Sequence, residues 1–194
     1  MKRLLLVLAV FFLFCVNVYA VSFEGLNLKN SLVVDNQTLV LDGYGIRPYY
    51  ALIFKVKVYI GALYSTFNPP VNPEKLVESR QPKVILMHFL RDVSSKQIRD
   101  GFIKDFKHNM PSFINNKDEK AFLGLINKDV KENDDIYLIF LKNGDLVVSY
   151  GKLDPNCKNR INSFEAQKAV LLAFVGKKPY SKKFKKELLG IEKP

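Results

Sequence analysis

The chain has 194 residues, carries a formal net charge of +11 and contains two cysteines and two histidines. This length suits one domain with a sizeable core, and the basic excess favours anionic partners. The sequence has no signature of a nucleic-acid-binding fold, so we expect no nucleic-acid partner. Two histidines and two cysteines do not form a convincing set of metal ligands. We therefore expect no metal and no cofactor.

Residues 1–20 have the order of segments found in a secretory signal peptide. Two basic residues precede an unbroken apolar run at residues 4–16, and Val18-Tyr19-Ala20 ends the segment with small or modest side chains. A membrane anchor is the alternative, but at ~1.5 Å per residue the run spans about 20 Å, short of the roughly 30 Å hydrocarbon core. We therefore predict cleavage near Ala20, a periplasmic or secreted location, and one mature domain over residues 21–194.

The first half of that domain is predicted to be rich in strands. Residues 32–41 read as a hairpin that turns at Asp35-Asn36. The glycines around Tyr44 predict a turn that ends with Arg47 at the start of the next strand. Residues 51–63 predict a strand pair or one long strand, and residues 83–90 predict another strand.

Helices follow these strands. Ser94 or Ser95 can cap a helix in which Ile98, Phe102 and Phe106 recur every four residues. Residues 121–130 are predicted to be a second helix.

The last third of the chain predicts a hairpin and then two helices. Residues 136–141 and 146–150 flank Asn143-Gly144, a strong hairpin signal, and the first of these strands is apolar on both faces, so we expect both to be covered. A strongly apolar helix is predicted over residues 164–175 and a basic one over residues 181–189. Strands, helices, hairpin and helices in this order predict an α+β domain with an antiparallel sheet.

Several short motifs resemble the chalcone isomerase-like family. They are Gly43-Tyr44-Gly45-Ile46-Arg47, then Val58-Tyr59-Ile60-Gly61-Ala62-Leu63-Tyr64, then Phe89-Leu90-Arg91-Asp92-Val93-Ser94 entering a helix, and Ile161-Asn162-Ser163-Phe164 opening a late one. The resemblance covers about residues 25–190. It implies an open-faced β-sandwich, in which a large antiparallel sheet has helices packed on one face and an apolar ligand cleft lies between them.

The family includes isomerases of plant flavonoid precursors, fatty-acid-binding members and exported bacterial proteins, and this chain is most similar to the last group. The isomerases use a tyrosine, an asparagine and a threonine, and the matching places here hold Ile98, Asp105 and Tyr59. Only the family's arginine, Arg47, is kept. Ile98 can donate neither a proton nor a hydrogen bond. Cyclisation of chalcones by the plant mechanism is therefore not expected.

The fatty-acid-binding members hold a carboxylate with the arginine and a tyrosine on the following strand, and Arg47 and Tyr59 match that pair. An arginine fork and a phenol are suitable donors for a carboxylate. The resemblance therefore implies a binding protein for an apolar, fatty-acid-like carboxylate, with Arg47 and Tyr59 as ligand-binding residues. The alternative is an isomerase or intramolecular lyase acting on an aromatic or enone substrate.

Two points about this pair stay open in the sequence. Arg47 has the alternative role of pairing with an acid or a helix end. Strict alternation places Tyr59 on the face of Lys55 and Lys57, which looks solvent-exposed, so either a bulge near Lys57 re-aims the strand or the lysines line the mouth of the cleft. On the helix side, periodicity predicts that Phe102, Phe106 and Phe164 line the cleft.

The remaining candidates are weaker. His88 lies between apolar neighbours and is interpreted as a core or rim histidine. Cys157, the only thiol left after signal cleavage, is interpreted as an incidental exposed side chain. A basic tail favours a solvated helix face, with attraction to an anionic membrane surface as the alternative. The lysines of this tail are Lys177, Lys178, Lys182, Lys183, Lys185 and Lys186.

Overall fold

The computed structural model describes residues 20–51 and 54–194, so nearly all of the predicted signal peptide lies outside the described residues. The strands are β1 (Ala20–Phe23), β2 (Leu26–Lys29), β3 (Ser31–Val34), β4 (Gln37–Ala51), β5 (Phe54–Ser65), β6 (Lys83–Phe89), β7 (Asp135–Phe140), β8 (Asp145–Tyr150) and β9 (Arg160–Asn162). The helices are α1 (Pro73–Glu78), α2 (Ser95–Asn109), α3 (Lys117–Leu125), α4 (Phe164–Val175) and α5 (Lys182–Leu188), with a 3-10 turn at Pro111–Phe113.

Strands β3 to β9 form one antiparallel sheet in which each strand pairs with its neighbours in sequence order. The predicted turns are present: Asp35 and Asn36 have φ of 51° and 57°, and Gly144 has φ of 98°. Such left-handed values suit tight hairpins, and Asn, Asp and Gly adopt them at little cost. The α+β class and the antiparallel sheet are confirmed.

The two faces of the sheet bury different partners. On one face, Leu63, Ile85 and Leu138 pack with the helices in the main core. On the other face, Ala62 and Ile139 pack in a second core that includes Leu28 of the β1–β2 hairpin. Strand β7 is therefore covered on both faces, which explains its lack of apolar–polar alternation.

Helix α2 begins as the sequence predicts. The Ser94 side chain accepts a hydrogen bond from the backbone N–H of Gln97, and the Gln97 side chain accepts one from the backbone N–H of Ser94. This capping box satisfies donors that a helix start would otherwise leave unpaired. Helix α4 also has the predicted bounds, with Ser163 as its N-cap and Gly176 at its C-cap.

The helix predicted over residues 121–130 is wrong in its bounds. Helix α3 spans Lys117–Leu125, and its N-cap is Asn116, whose side chain accepts from the backbone N–H of Glu119. The chain leaves the helix because Val130 forms a two-way backbone bridge with Val93, with both N···O distances at 3.0 Å. A tertiary pairing thus overrides the local helical pattern.

The turn predicted around Tyr44 is also wrong, because residues 43–48 belong to the continuous strand β4. The glycines serve a different purpose: a Cβ on Gly43 would overlap the carbonyl oxygen of Glu187, and one on Gly61 would overlap the ring of Phe184. Glycine at these places lets α5 lie directly on β4 and β5. The glycine pattern marks a close helix–sheet contact, which is a long-range feature.

Candidate functional site

A cavity of about 530 Å³ lies between α2 and α4 on one side and β4, β5 and β6 on the other. Its volume falls within the range of about 300–1,000 Å³ that is typical of small-molecule sites. Most of its wall is apolar. The wall includes Val58, Met87, Phe89, Ile98, Phe102 and Phe174.

A β-bulge turns strand β5 towards this cavity. Arg47 pairs with Tyr59, but the next residue, Pro48, pairs with Lys57, so Val58 is the extra residue. An extra residue shifts the alternation of the strand. As a result Val58 and Tyr59 both line the cavity, whereas Lys57 forms an ion pair with Glu24 at 2.7 Å. Of the two alternatives that the alternation left open, the structure has the bulge.

Arg47 and Asp105 form the polar end of the cavity. The Nη2 of Arg47 donates to Oδ2 of Asp105 at 3.1 Å, and the two side chains are only 13% and 10% exposed. The guanidinium also stacks on Tyr180, with its Cζ 4.0 Å from the ring centroid. Arg47 therefore does pair with an acid. Among the described residues this contact is the only hydrogen bond of its guanidinium, which leaves the other N–H groups of the fork for a ligand.

Burial controls the protonation of the groups around Arg47. It raises the pKa of Asp105 above the usual range, and the neighbouring Arg47 opposes this rise. It also raises the pKa of Tyr59 to about 12, again against the influence of Arg47. The Tyr59 phenol is thus neutral at physiological pH and remains a hydrogen-bond donor. It is 8% exposed, packs against the rings of Phe89 and Phe184, and its hydroxyl has no hydrogen-bond partner in residues 20–51 and 54–194.

Tyr180 closes one side of the cavity and was missed by the sequence analysis. Its hydroxyl accepts a hydrogen bond from the backbone N–H of Tyr50 at 3.1 Å, and Lys104 lies 5.7 Å from its ring centroid. Tyr180 lies just before the short helix α5, outside any periodic pattern, so local signals did not single it out.

The role of Asp105 as the partner of Arg47 was also missed, although a signal was present. Asp105 lies three residues after Phe102 and directly before Phe106, on the apolar stripe of α2, where a carboxylate needs a partner. Of the aromatic residues predicted to line the cleft, Phe102 does so, but Phe106 and Phe164 do not. Phe106 packs against Phe113 and Phe122 in the core, and the ring of Phe164 lies 4.0 Å from the guanidinium carbon of Arg80.

The other candidates lie apart from the cavity. His88 Nδ1 is 2.8 Å from Asp135 Oδ1, in a half-buried pair at the end of β6. The prediction that Cys157 is exposed is wrong, because it is half-buried and packs against the second core. In the basic tail, Lys185 is half-buried and donates to the carbonyl of Gly176, whereas the other five lysines are exposed.

The described part of the chain also lacks two features that bear on function. It contains no group of three or more His, Cys, Asp or Glu side chains arranged to hold a metal ion. None of its helices is long and apolar enough to cross a membrane.

Comparisons with known proteins agree with this architecture. A model of the family described as chalcone isomerase-like matches residues 20–190. Among solved structures, a fatty-acid binding protein from Arabidopsis thaliana superposes with a TM-score of 0.70, covering 89% of this chain and 96% of that chain at 16% sequence identity. At this identity the likeness shows the fold alone. No curated protein matches the chain. Since the family model spans most of its length, the chain belongs to the chalcone isomerase-like family.

Proposed function

We propose that the protein binds an apolar, fatty-acid-like carboxylate in the cavity, with the carboxylate held by Arg47 and Tyr59. One observation carries the proposal. A guanidinium with unused N–H groups and a phenol without a hydrogen-bond partner among the described residues form a cross-strand pair. Both line a mostly apolar cavity of about 530 Å³. An amphiphile with one anionic end and a hydrocarbon body matches this distribution.

The head group and the acyl chain of the ligand are expected to contribute differently to the binding free energy. A hydrogen bond to a charged group contributes ~1.5–3 kcal/mol, and each buried methylene contributes about 0.8 kcal/mol. A long acyl chain thus supplies most of the affinity, while Arg47 and Tyr59 set its orientation and select for an acid. The Arabidopsis thaliana protein with the same fold is a fatty-acid binding protein, which supports this ligand class.

Asp105 makes the binding dependent on protons. In the ligand-free protein it partners Arg47, so an incoming carboxylate brings a second negative charge to the same guanidinium. Two carboxylates at one site favour protonation of one of them, and burial already raises the pKa of Asp105. We therefore expect Asp105 to take up a proton when the ligand binds, and affinity for the acid to rise as pH falls through the pKa of Asp105.

The isomerase alternative has weaker support. Ile98, at the place of the family's catalytic tyrosine, lies in the cavity wall and is 7% exposed. An apolar side chain there cannot orient a water or stabilise a developing oxyanion. Naringenin chalcone should accordingly cyclise no faster with the protein than without it.

The test is a binding titration with oleate and with oleyl alcohol, preceded by native mass spectrometry for a co-purifying acyl chain. Arg47→Ala should weaken oleate binding by roughly 10- to 100-fold, as expected for the loss of ~1.5–3 kcal/mol. Arg47→Lys should recover only part of this because a point charge lacks the planar fork. Oleyl alcohol should bind less tightly than oleate and respond little to either change. Equal binding of acid and alcohol, unaffected by Arg47→Ala, would show that the Arg47–Asp105 pair is structural.

Export is a separate part of the proposal and depends on residues 1–20. Material recovered from the periplasm should begin at Val21, which amino-terminal sequencing measures. Purified membranes containing the chain with Met1 intact would contradict cleavage.

A further inference from the structure

The hairpin made by the end of β4 and the start of β5 extends past the rest of the sheet. Strand β6 pairs with β5 only from Tyr59 onward, so residues 48–51 and 54–57 pair only with each other among the described residues. We call these residues the ribbon. Its sides lack the neighbouring strands that cover the body of the sheet.

The ribbon carries large apolar side chains in water. Tyr49, Tyr50 and Phe54 are 55%, 53% and 68% exposed. Exposed apolar groups gathered in one place mark an interaction surface more often than scattered ones do. Tyrosine in particular combines an apolar ring with a polar tip and is enriched where an apolar phase meets water.

The ribbon lies at the mouth of the cavity. Pro48 and Tyr49 line the opening, and the ring of Tyr50 stacks on that of Tyr180 with centroids 6.2 Å apart. Together with the hydrogen bond from the Tyr50 N–H to the Tyr180 hydroxyl, this contact joins the ribbon to the segment that precedes α5. Whatever the ribbon contacts is therefore close to the path by which a ligand enters.

Exposed positive side chains lie on the cavity lining, on the ribbon and on the segment before Tyr180. The exposed cations are Arg91 and Lys104 on the cavity rim, Lys55 on the ribbon, and Lys177 and Lys178 before Tyr180.

The acids at the same rim are already neutralised. Asp92 is paired with Lys131 at 2.8 Å and Asp100 with Lys96 at 2.7 Å. The rim thus has an excess of positive charge, in a chain whose formal charge is +11.

From these observations we infer that the ribbon and the cations around it dock the protein on an anionic lipid bilayer, with the cavity opening turned towards the lipid. The aromatic side chains enter the interface and each nearby lysine or arginine adds about 1 kcal/mol of attraction to anionic lipid. A few such contacts give reversible attachment that weakens with salt. The inference goes beyond ligand binding and does not depend on which ligand fills the cavity.

The experiment is co-sedimentation of the protein with vesicles of phosphatidylcholine alone and of an equimolar mixture of phosphatidylcholine and phosphatidylglycerol. The wild type should sediment with the anionic vesicles, less at high salt, and little with the neutral ones. Phe54→Ser should weaken this binding by about five- to tenfold, because the variant has no phenylalanine ring to transfer from water into the bilayer interface. Lys55→Glu with Lys178→Glu should weaken it by about tenfold or more.

Matched controls test whether the loss of binding is specific to the ribbon and its cations, or follows from any loss of exposed apolar area or positive charge. Val33→Ser removes a side chain that is 65% exposed on β3, and Lys29→Glu with Lys75→Glu makes the same charge change on exposed lysines of β2 and α1. Both controls should bind anionic vesicles as the wild type does. Equal loss in controls and ribbon variants, or no loss in any, would overturn the inference, as would a wild-type dimer in light scattering that Phe54→Ser dissociates.

Oleate binding without vesicles keeps this test distinct from that of the proposed function. None of Phe54, Lys55 and Lys178 lines the cavity. Their variants should therefore retain oleate affinity while losing vesicle binding. Loss of both together would mean that the ribbon supports the cavity, and membrane docking would be rejected.

Discussion

Two buried carboxylates near strand β4 differ in their surroundings. Asp105, on α2, is 7% exposed, pairs with Arg47 and borders the cavity. Asp42, within β4, is 3% exposed, and neither of its oxygens has a hydrogen-bond partner in the described part of the chain. Burial raises the pKa of Asp42 to about 7, and the nearby Ser65 hydroxyl offsets only part of that rise.

The comparison shows what distinguishes a carboxylate in a candidate binding site from one that affects only the stability of the fold. A perturbed pKa suggests function only when a charge partner and an accessible cleft accompany it. Asp105 has both, whereas Asp42 does not line the cavity. We therefore propose that the ligand binds at Arg47, beside Asp105, and treat Asp42 as a feature of stability.

Arg47→Ala should have the largest effect on folding. It leaves Asp105 buried without its partner, and breaking a buried pair from one side typically costs about 3–5 kcal/mol. Denaturant titration near neutral pH should show a loss of this order in the free energy of unfolding. Adding Asp105→Asn should restore much of it, since no unpaired charge then remains. A single variant as stable as the wild type would mean that the pair contributes nothing to stability.

Asp42→Asn should stabilise the protein, with the size of the effect set by pH. The folded state keeps the proton on Asp42 up to about pH 7, whereas the unfolded state loses it near pH 4, so ionisation of Asp42 costs stability progressively between these values. The gain from Asp42→Asn should be small below about pH 4 and reach roughly 4 kcal/mol above about pH 7. Thermal or denaturant unfolding of both proteins across pH measures this difference.

Oleate affinity is the control for that variant. Since Asp42 does not line the cavity, Asp42→Asn should leave oleate binding and its pH dependence unchanged. A change in affinity would show that Asp42, like Asp105, affects ligand binding.

Features set by neighbouring residues could be predicted from the sequence. Asp35-Asn36 and Gly144 tolerate left-handed backbone, so the two hairpin turns follow from residue type. The bounds of α4 follow from Ser163 and Gly176 at its ends. The family motifs identified Arg47.

Long-range features could not be predicted in this way. The strand through residues 43–48 depends on α5 packing against Gly43, and the end of α3 depends on Val130 pairing with Val93. Helical periodicity found the buried side of α2 but did not show that Phe102 borders a cavity and Phe106 does not. That outcome depends on how closely other elements pack.

Asp105→Asn should tighten oleate binding at about pH 8 by roughly fivefold. The amide removes the negative charge that competes for Arg47 while it can still accept its hydrogen bond. In the wild type, affinity should rise as pH falls and Asp105 takes up a proton, and the two proteins should converge at lower pH. Calorimetry in buffers of different ionisation enthalpy should show proton uptake in the wild type and much less in Asp105→Asn. Weaker binding in Asp105→Asn would show that Asp105 positions Arg47 for the ligand instead of competing with it.

Tyr59→Phe should lower oleate affinity less than Arg47→Ala does, and it tests the phenol by itself. The substitution keeps the ring packed against Phe89 and Phe184 and removes only the hydroxyl, which has no partner in the described part of the protein. Stability should therefore change little, because no intramolecular hydrogen bond is lost. Oleate affinity should fall by roughly tenfold, as expected at the lower end of the ~1.5–3 kcal/mol range for a hydrogen bond to a charged group, while affinity for oleyl alcohol should change less than that for oleate. If both ligands bind Tyr59→Phe as they bind the wild type, the carboxylate does not contact Tyr59. The head group then lies at Arg47 on the side of Tyr180.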